Sequence, residues 1–124
     1  MNQLFPQSRL ALAAGGIAGA MGVAGLAAAA HADPSGRLET AAQMLVFHAP
    51  VFLAIGLWVR VLATRLLVLA AVMLFAGLAL FCGDLAMRVF GGTRLFPGAA
   101  PIGGMTIIAG WVIVVLCALR PHLR

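Results

Sequence analysis

The chain has 124 residues, 64% hydrophobic and 9% charged, with a formal net charge of +5. That balance leaves too little polar surface to coat a soluble globule, so the sequence belongs in a bilayer. The basic residues are arginines scattered along the connections, with no lysine and no basic stripe interleaved with aromatics, which argues against a nucleic-acid partner.

Four apolar blocks follow in chain order, each near the ~20 residues a helix needs to cross a bilayer. The first, approximately 9–30, carries Gly15, Gly19, Gly22 and Gly25, which share one side of a helix with Ala11, Ala18 and Ala29. A small-residue face of this kind lets a second helix approach closely. The block ends in "GLAAAAHADPSG", which supports two readings. Ala30-His31-Ala32 has the small-x-small form of a signal cleavage site, after which everything through Ala32 is discarded. Alternatively the block is a permanent first span with His31 at the water boundary. A disposable signal gains nothing from a packing face, so the glycines favour retention.

The second block, 41–59, holds His48 about 13 Å along the helix from Glu39. Pro50 lacks the N–H that would occupy the Val46 carbonyl, which makes that carbonyl an expected partner for His48. The third block, 66–86, contains Asp84, with Arg88 four residues on and able to satisfy it locally. The fourth, 101–119, opens on Pro101 at a tolerated first-turn position, and Gly103, Thr106 and Gly110 share a packing face. The expected fold is all-α and polytopic: four transmembrane helices in a compact antiparallel bundle, one membrane domain over 1–124, with no room for a soluble domain.

Arg9, Arg60, Arg65, Arg120 and Arg124 then fall at one end without an acid, and Arg37, Arg88 and Arg94 at the other with Asp33, Glu39 and Asp84. The positive-inside bias places both termini in the cytoplasm. The same topology gathers His31, Glu39, His48, Asp84, Arg88 and Arg94 toward the outer half. Intramembrane polar groups are costly, so this cluster is either a structural device that fixes helix register or a site for a proton, substrate or ligand. His31 and His48 lie at unmatched depths, so neither a metal nor a haem is expected, and no cofactor is implied. Cys82 and Cys117 belong to opposite ends, on the order of 20 Å apart, too far for a disulfide. With Ser8 and Ser35 the only serines and no tyrosine or lysine, no catalytic constellation is present.

Several stretches resemble one family from the first helix to the last. "VAGLAAAAH" ends at His31 where that family has an Ala-His, and "TAAQMLVFHA", 40–49, matches its Phe-His pair. "LFCGDLA", 80–86, resembles Leu-Phe-Ser-Gly-Ser-Leu-Tyr, and "PIGGMTIIAGW", 101–111, resembles Pro-Ile-Gly-Gly followed by Gly-Trp. The chain is thereby identified as similar to domain of unknown function family 423, the YgdD-like small inner-membrane proteins. The resemblance implies an inner-membrane address and a retained first helix, and it implies no activity. Met44 and Leu45 stand where the family has Tyr-Gln, Cys82 and Asp84 where it has serines, Ala86 for a tyrosine and Ala28 for a phenylalanine. The expected role is a non-enzymatic accessory, assembly or interaction protein. Its partners would be the lipid bilayer and other membrane proteins or a second copy. The alternative is a small transporter or channel component using His48 and Asp84.

Overall fold

A computed structural model describes residues 6–62 and 65–120. They form four helices: α1 Pro6–Ala32, α2 Arg37–Leu62, α3 Arg65–Phe90 and α4 Ala99–Leu119. All four are long and apolar enough to cross a membrane. The first three run past their apolar blocks at both ends. At 26 residues, α2 and α3 each extend for about 39 Å, beyond a hydrocarbon layer of about 30 Å, so Arg37 and Arg65 in their first turns and Arg60 and Arg88 in their last reach headgroup level. Arg124 lies outside the described residues.

The α1–α2 and α3–α4 connections use glycine at left-handed positions: Gly36, φ +75°, directly precedes α2, and Gly98, φ +87°, directly precedes α4. Between α1 and α2, Asp33 accepts the Ser35 N–H at 2.9 Å and the Leu38 N–H at 2.8 Å, satisfying an orphan donor in the first turn of α2.

In lipid, apolar side chains gain nothing by meeting one another, so backbone approach decides which helices pair. The buried face of α1 is Ser8, Ala11, Gly15, Ala18 and Gly22, spaced alternately three and four residues apart. A Cβ on Gly22 would stand 2.6 Å from Val46 Cγ2 and 2.9 Å from the Val46 nitrogen of α2, and one on Gly15 would stand 2.7 Å from Leu53 Cδ2. Gly25 meets Ala42 in the same way, at 2.9 Å. The α3/α4 pair is closer still: a Cβ on Gly103 would lie 2.6 Å from the Phe81 nitrogen, and a Cβ on Gly77 would lie 2.8 Å from the Gly103 oxygen. Gly110 seats Leu74 of α3, whose side chain is fully buried.

The helices therefore pack in pairs, α1 on α2 and α3 on α4, and the two hairpins meet through α2 and α3. Phe52 against Phe75, with ring centroids 6.2 Å apart, lies on that central contact. Among the described residues no Cα of α1 lies within 8 Å of one in α4. Small residues concentrate within each hairpin, so the outer helices are held by their own partners and have nothing to draw them together.

Gly22→Leu is expected to destabilise the protein by about 1–3 kcal/mol through overpacking, whereas Gly19→Ala stays within about 0.5 kcal/mol. At Gly19 a Cβ meets only Ala49 Cβ, at an ordinary 3.7 Å. Unfolding in detergent by denaturant measures both.

Candidate functional site

His48 faces the second hairpin. Starting from the α1-facing stripe of α2 that includes Ala42, Val46 and Ala49, it lies about 120° further round the helix, beyond the Ala41 and Phe52 positions that meet α3. The side chain is 5% exposed. Its Nδ1 lies 2.8 Å from the Met44 carbonyl oxygen, which only accepts, so Nδ1 carries the proton and donates. Nε2 is then a lone-pair acceptor, and the Trp111 indole N–H donates to it from α4 at 3.3 Å. Both ring nitrogens of a neutral imidazole are thus engaged.

The partner on α2 is Met44 and not Val46, the carbonyl that Pro50 leaves open. Helical side chains lean back over the residue four positions earlier, which for His48 is Met44, while Val46 projects from the other side of the helix. His48 is eleven residues from the start of α2 and Trp111 twelve from the start of α4, so both lie about 17 Å from the same membrane face, near mid-depth. No Cα of α2 is within 8 Å of one in α4 among the described residues, so this side-chain bridge spans a gap the backbones leave.

Asp84 forms a second, separate group. It is fully buried, accepts from Arg88 at 2.6 Å on Oδ2 and from the Leu95 N–H at 2.9 Å on Oδ1. The first contact neutralises the carboxylate within one helix, and the second pins the α3–α4 connection to the end of α3. The remaining members of the expected cluster lie at the surface. His31 is exposed at the end of α1, Arg94 is exposed in the α3–α4 connection, and Glu39 accepts from the Gln43 amide at 3.1 Å. Hydrogen bonding thus joins Asp84 to Arg88 and His48 to Trp111, and leaves His48 and Asp84 in different groups.

Sequence reasoning missed Trp111 and the Leu95 amide. Trp111 had one available signal: an indole N–H inside a span needs an acceptor, and among the described residues His48 is the one imidazole at its depth. The Leu95 amide had none, because backbone donors look alike in a sequence. Gly77 was also overlooked, although Ala70, Leu74, Gly77 and Leu78 form a legible helical stripe.

Cys82 donates its thiol to the Ala41 carbonyl of α2 at 3.4 Å, and both cysteines are free. Among the described residues no three His, Cys, Asp or Glu converge on a metal-sized site. Two buried polar atoms there lack a hydrogen-bond partner, Ser8 Oγ and Arg88 Nε, and both sit near helix ends. A groove runs between α1 and α3, floored by α2 at Phe52. It comprises two apolar cavities of about 310 Å³ and 580 Å³, both bordered by Phe52 and Phe75.

Fold and site together define a small four-span membrane protein whose mid-depth polar groups bond to one another across its hairpins. The chain belongs to the family described as protein of unknown function DUF423, whose model matches residues 18–104. It is 28% identical over 102 residues to the UPF0382 inner membrane protein YgdD of Escherichia coli K12, covering 82% of this chain and 78% of that one. The Shigella flexneri protein of the same name matches equally. No solved structure matches.

Trp111→Phe removes the donor and leaves a buried Nε2 unpaired. A loss of about 1–3 kcal/mol in unfolding free energy is expected, with a smaller loss for the double variant with His48→Leu than the two single losses summed. A second expectation concerns pH. The Ser35 hydroxyl, then the Leu38 N–H, hold the Asp33 carboxyl below its ordinary 3.8. A depressed carboxylate stabilises the fold fully above its unfolded value, and that contribution is lost as pH falls from there through the folded value. Asp33→Asn should remove this acid-side slope, read as unfolding midpoints between pH 6 and about pH 3.

Proposed function

We propose that this chain is a non-enzymatic accessory protein of the bacterial inner membrane, acting by packing against other membrane proteins, with both termini cytoplasmic. The observation that carries the reading is the closed His48–Trp111 bridge. A proton relay or ion site needs a mid-depth group with a free valence toward a pathway, and here both imidazole nitrogens are occupied within the chain. Asp84 likewise has Arg88 and Leu95 on its two oxygens, which favours a structural over a transporting role.

The orientation rests on arginine placement. Arg9, Arg60, Arg65 and Arg120 mark the end of the helices that carries no acid, and all three acids lie toward the other end. The permanence of α1 rests on its contact with α2, where Gly15 and Gly22 admit the partner backbone. The chain then works as a single membrane unit whose glycine faces hold its own hairpins, leaving the lipid-facing residues for partners.

Two measurements test the proposal. Proteoliposomes containing the full chain should show no proton or ion flux above protein-free vesicles. Native mass spectrometry of protein extracted gently from its own membrane should give the intact chain together with other subunits. A flux abolished by His48→Gln in a protein of unchanged unfolding midpoint would establish the transport reading, and a chain lacking residues 1–32 would remove α1 from the mature protein.

A further inference from the structure

The groove between α1 and α3 has two ends of different character. Its smaller cavity, about 310 Å³, is lined by Leu10 and Ala14 of α1 and by Val68 and Val72 of α3, with Gln7 at the mouth. Phe52 and Phe75 border its deep end. From Arg65 to Phe75 is ten residues of α3, or about 15 Å, which is half of a ~30 Å hydrocarbon core. The cavity is therefore one leaflet deep.

The headgroup level of this cavity is purely basic. Arg65 precedes Val68 and Val72 by three and seven residues, placing it on the groove face of α3, and Arg60 lies in the last turn of α2 at the same end. Both are exposed, and every acid of the chain belongs to the opposite half. Among the described residues this end carries Arg9, Arg60, Arg65 and Arg120 without an acid, whereas the three arginines and three acids of the other end cancel.

We propose that this half of the groove is a binding site for one anionic phospholipid, with an acyl chain along Ala14 and Val72 up to Phe75 and the headgroup phosphate against Arg65 and Arg60. The apolar lining takes the chain, the aromatic pair sets its depth, and the acid-free rim selects the charge. A neighbouring arginine strengthens association with an anionic headgroup about fivefold, so two give a preference above tenfold over a zwitterionic lipid.

The test is native mass spectrometry of the full chain delivered from detergent containing equimolar phosphatidylglycerol and phosphatidylethanolamine. One retained phosphatidylglycerol per chain is expected, in at least tenfold preference. Arg65→Gln should cut that preference about fivefold and Arg65→Lys should restore most of it. Val72→Trp should abolish retention of both lipids, because the indole fills the cavity from an exposed position and leaves the unfolding midpoint unchanged. Arg9→Gln serves as the control, since Arg9 lies on the side of α1 turned away from the groove. An equal loss with Arg9→Gln would reduce the effect to general charge and overturn the site. So would retention that survives Val72→Trp, or a dimer that Val72→Trp splits, which would assign the groove to a second copy.

Discussion

The distance of closest approach between two helix backbones governs this protein. Surrounded by lipid tails, an apolar side chain loses nothing by staying where it is, so dispersion contacts at short range are what hold a pair of spans together. Gly22 against Val46, and Gly103 against Phe81, bring backbones to distances that a single methyl group would forbid. The architecture follows from where those glycines fall. They fall within hairpins, so each hairpin is tight and the junction between hairpins relies on larger side chains: Phe52 with Phe75, Cys82 with Ala41, and His48 with Trp111.

The polar groups complement that arrangement. A hydrogen bond between hairpins is directional where apolar contact is not, so the imidazole and indole fix the rotation of α4 relative to α2 even though their backbones stay apart. Asp84 acts on a different coordinate, fixing where the chain leaves α3 before it turns into α4. Asp33 does the same for the start of α2. His48, Asp84 and Asp33 thereby each settle one geometric variable that glycine packing leaves free.

These features were unequally visible in the sequence. The four spans and the α1 face at Gly15 and Gly22 follow from composition and spacing, since hydropathy and helical period are local properties. Which carbonyl His48 uses depends on side-chain direction, and spacing alone pointed to Val46 when the rotamer requires Met44. Trp111 is 63 residues from His48, and a pairing at that separation leaves no trace in local pattern. The six polar residues gathered by topology at one end were separated by depth and by the face of the helix each occupies. The groove between α1 and α3 was beyond reach, because it is a space defined by where helices fail to meet.

The indole that bridges the hairpins also gives the molecule an optical reporter of its own assembly. The chain has two tryptophans: Trp58, 55% exposed near the end of α2, and Trp111, 41% exposed on α4 but with its indole N–H bonded to the His48 imidazole of the other hairpin. An indole whose N–H is held by a ring nitrogen emits differently from one facing acyl chains. Separation of the hairpins would therefore shift the emission of Trp111 and leave that of Trp58 in place, so the docking of two halves within a bilayer can be followed by light without attaching a dye.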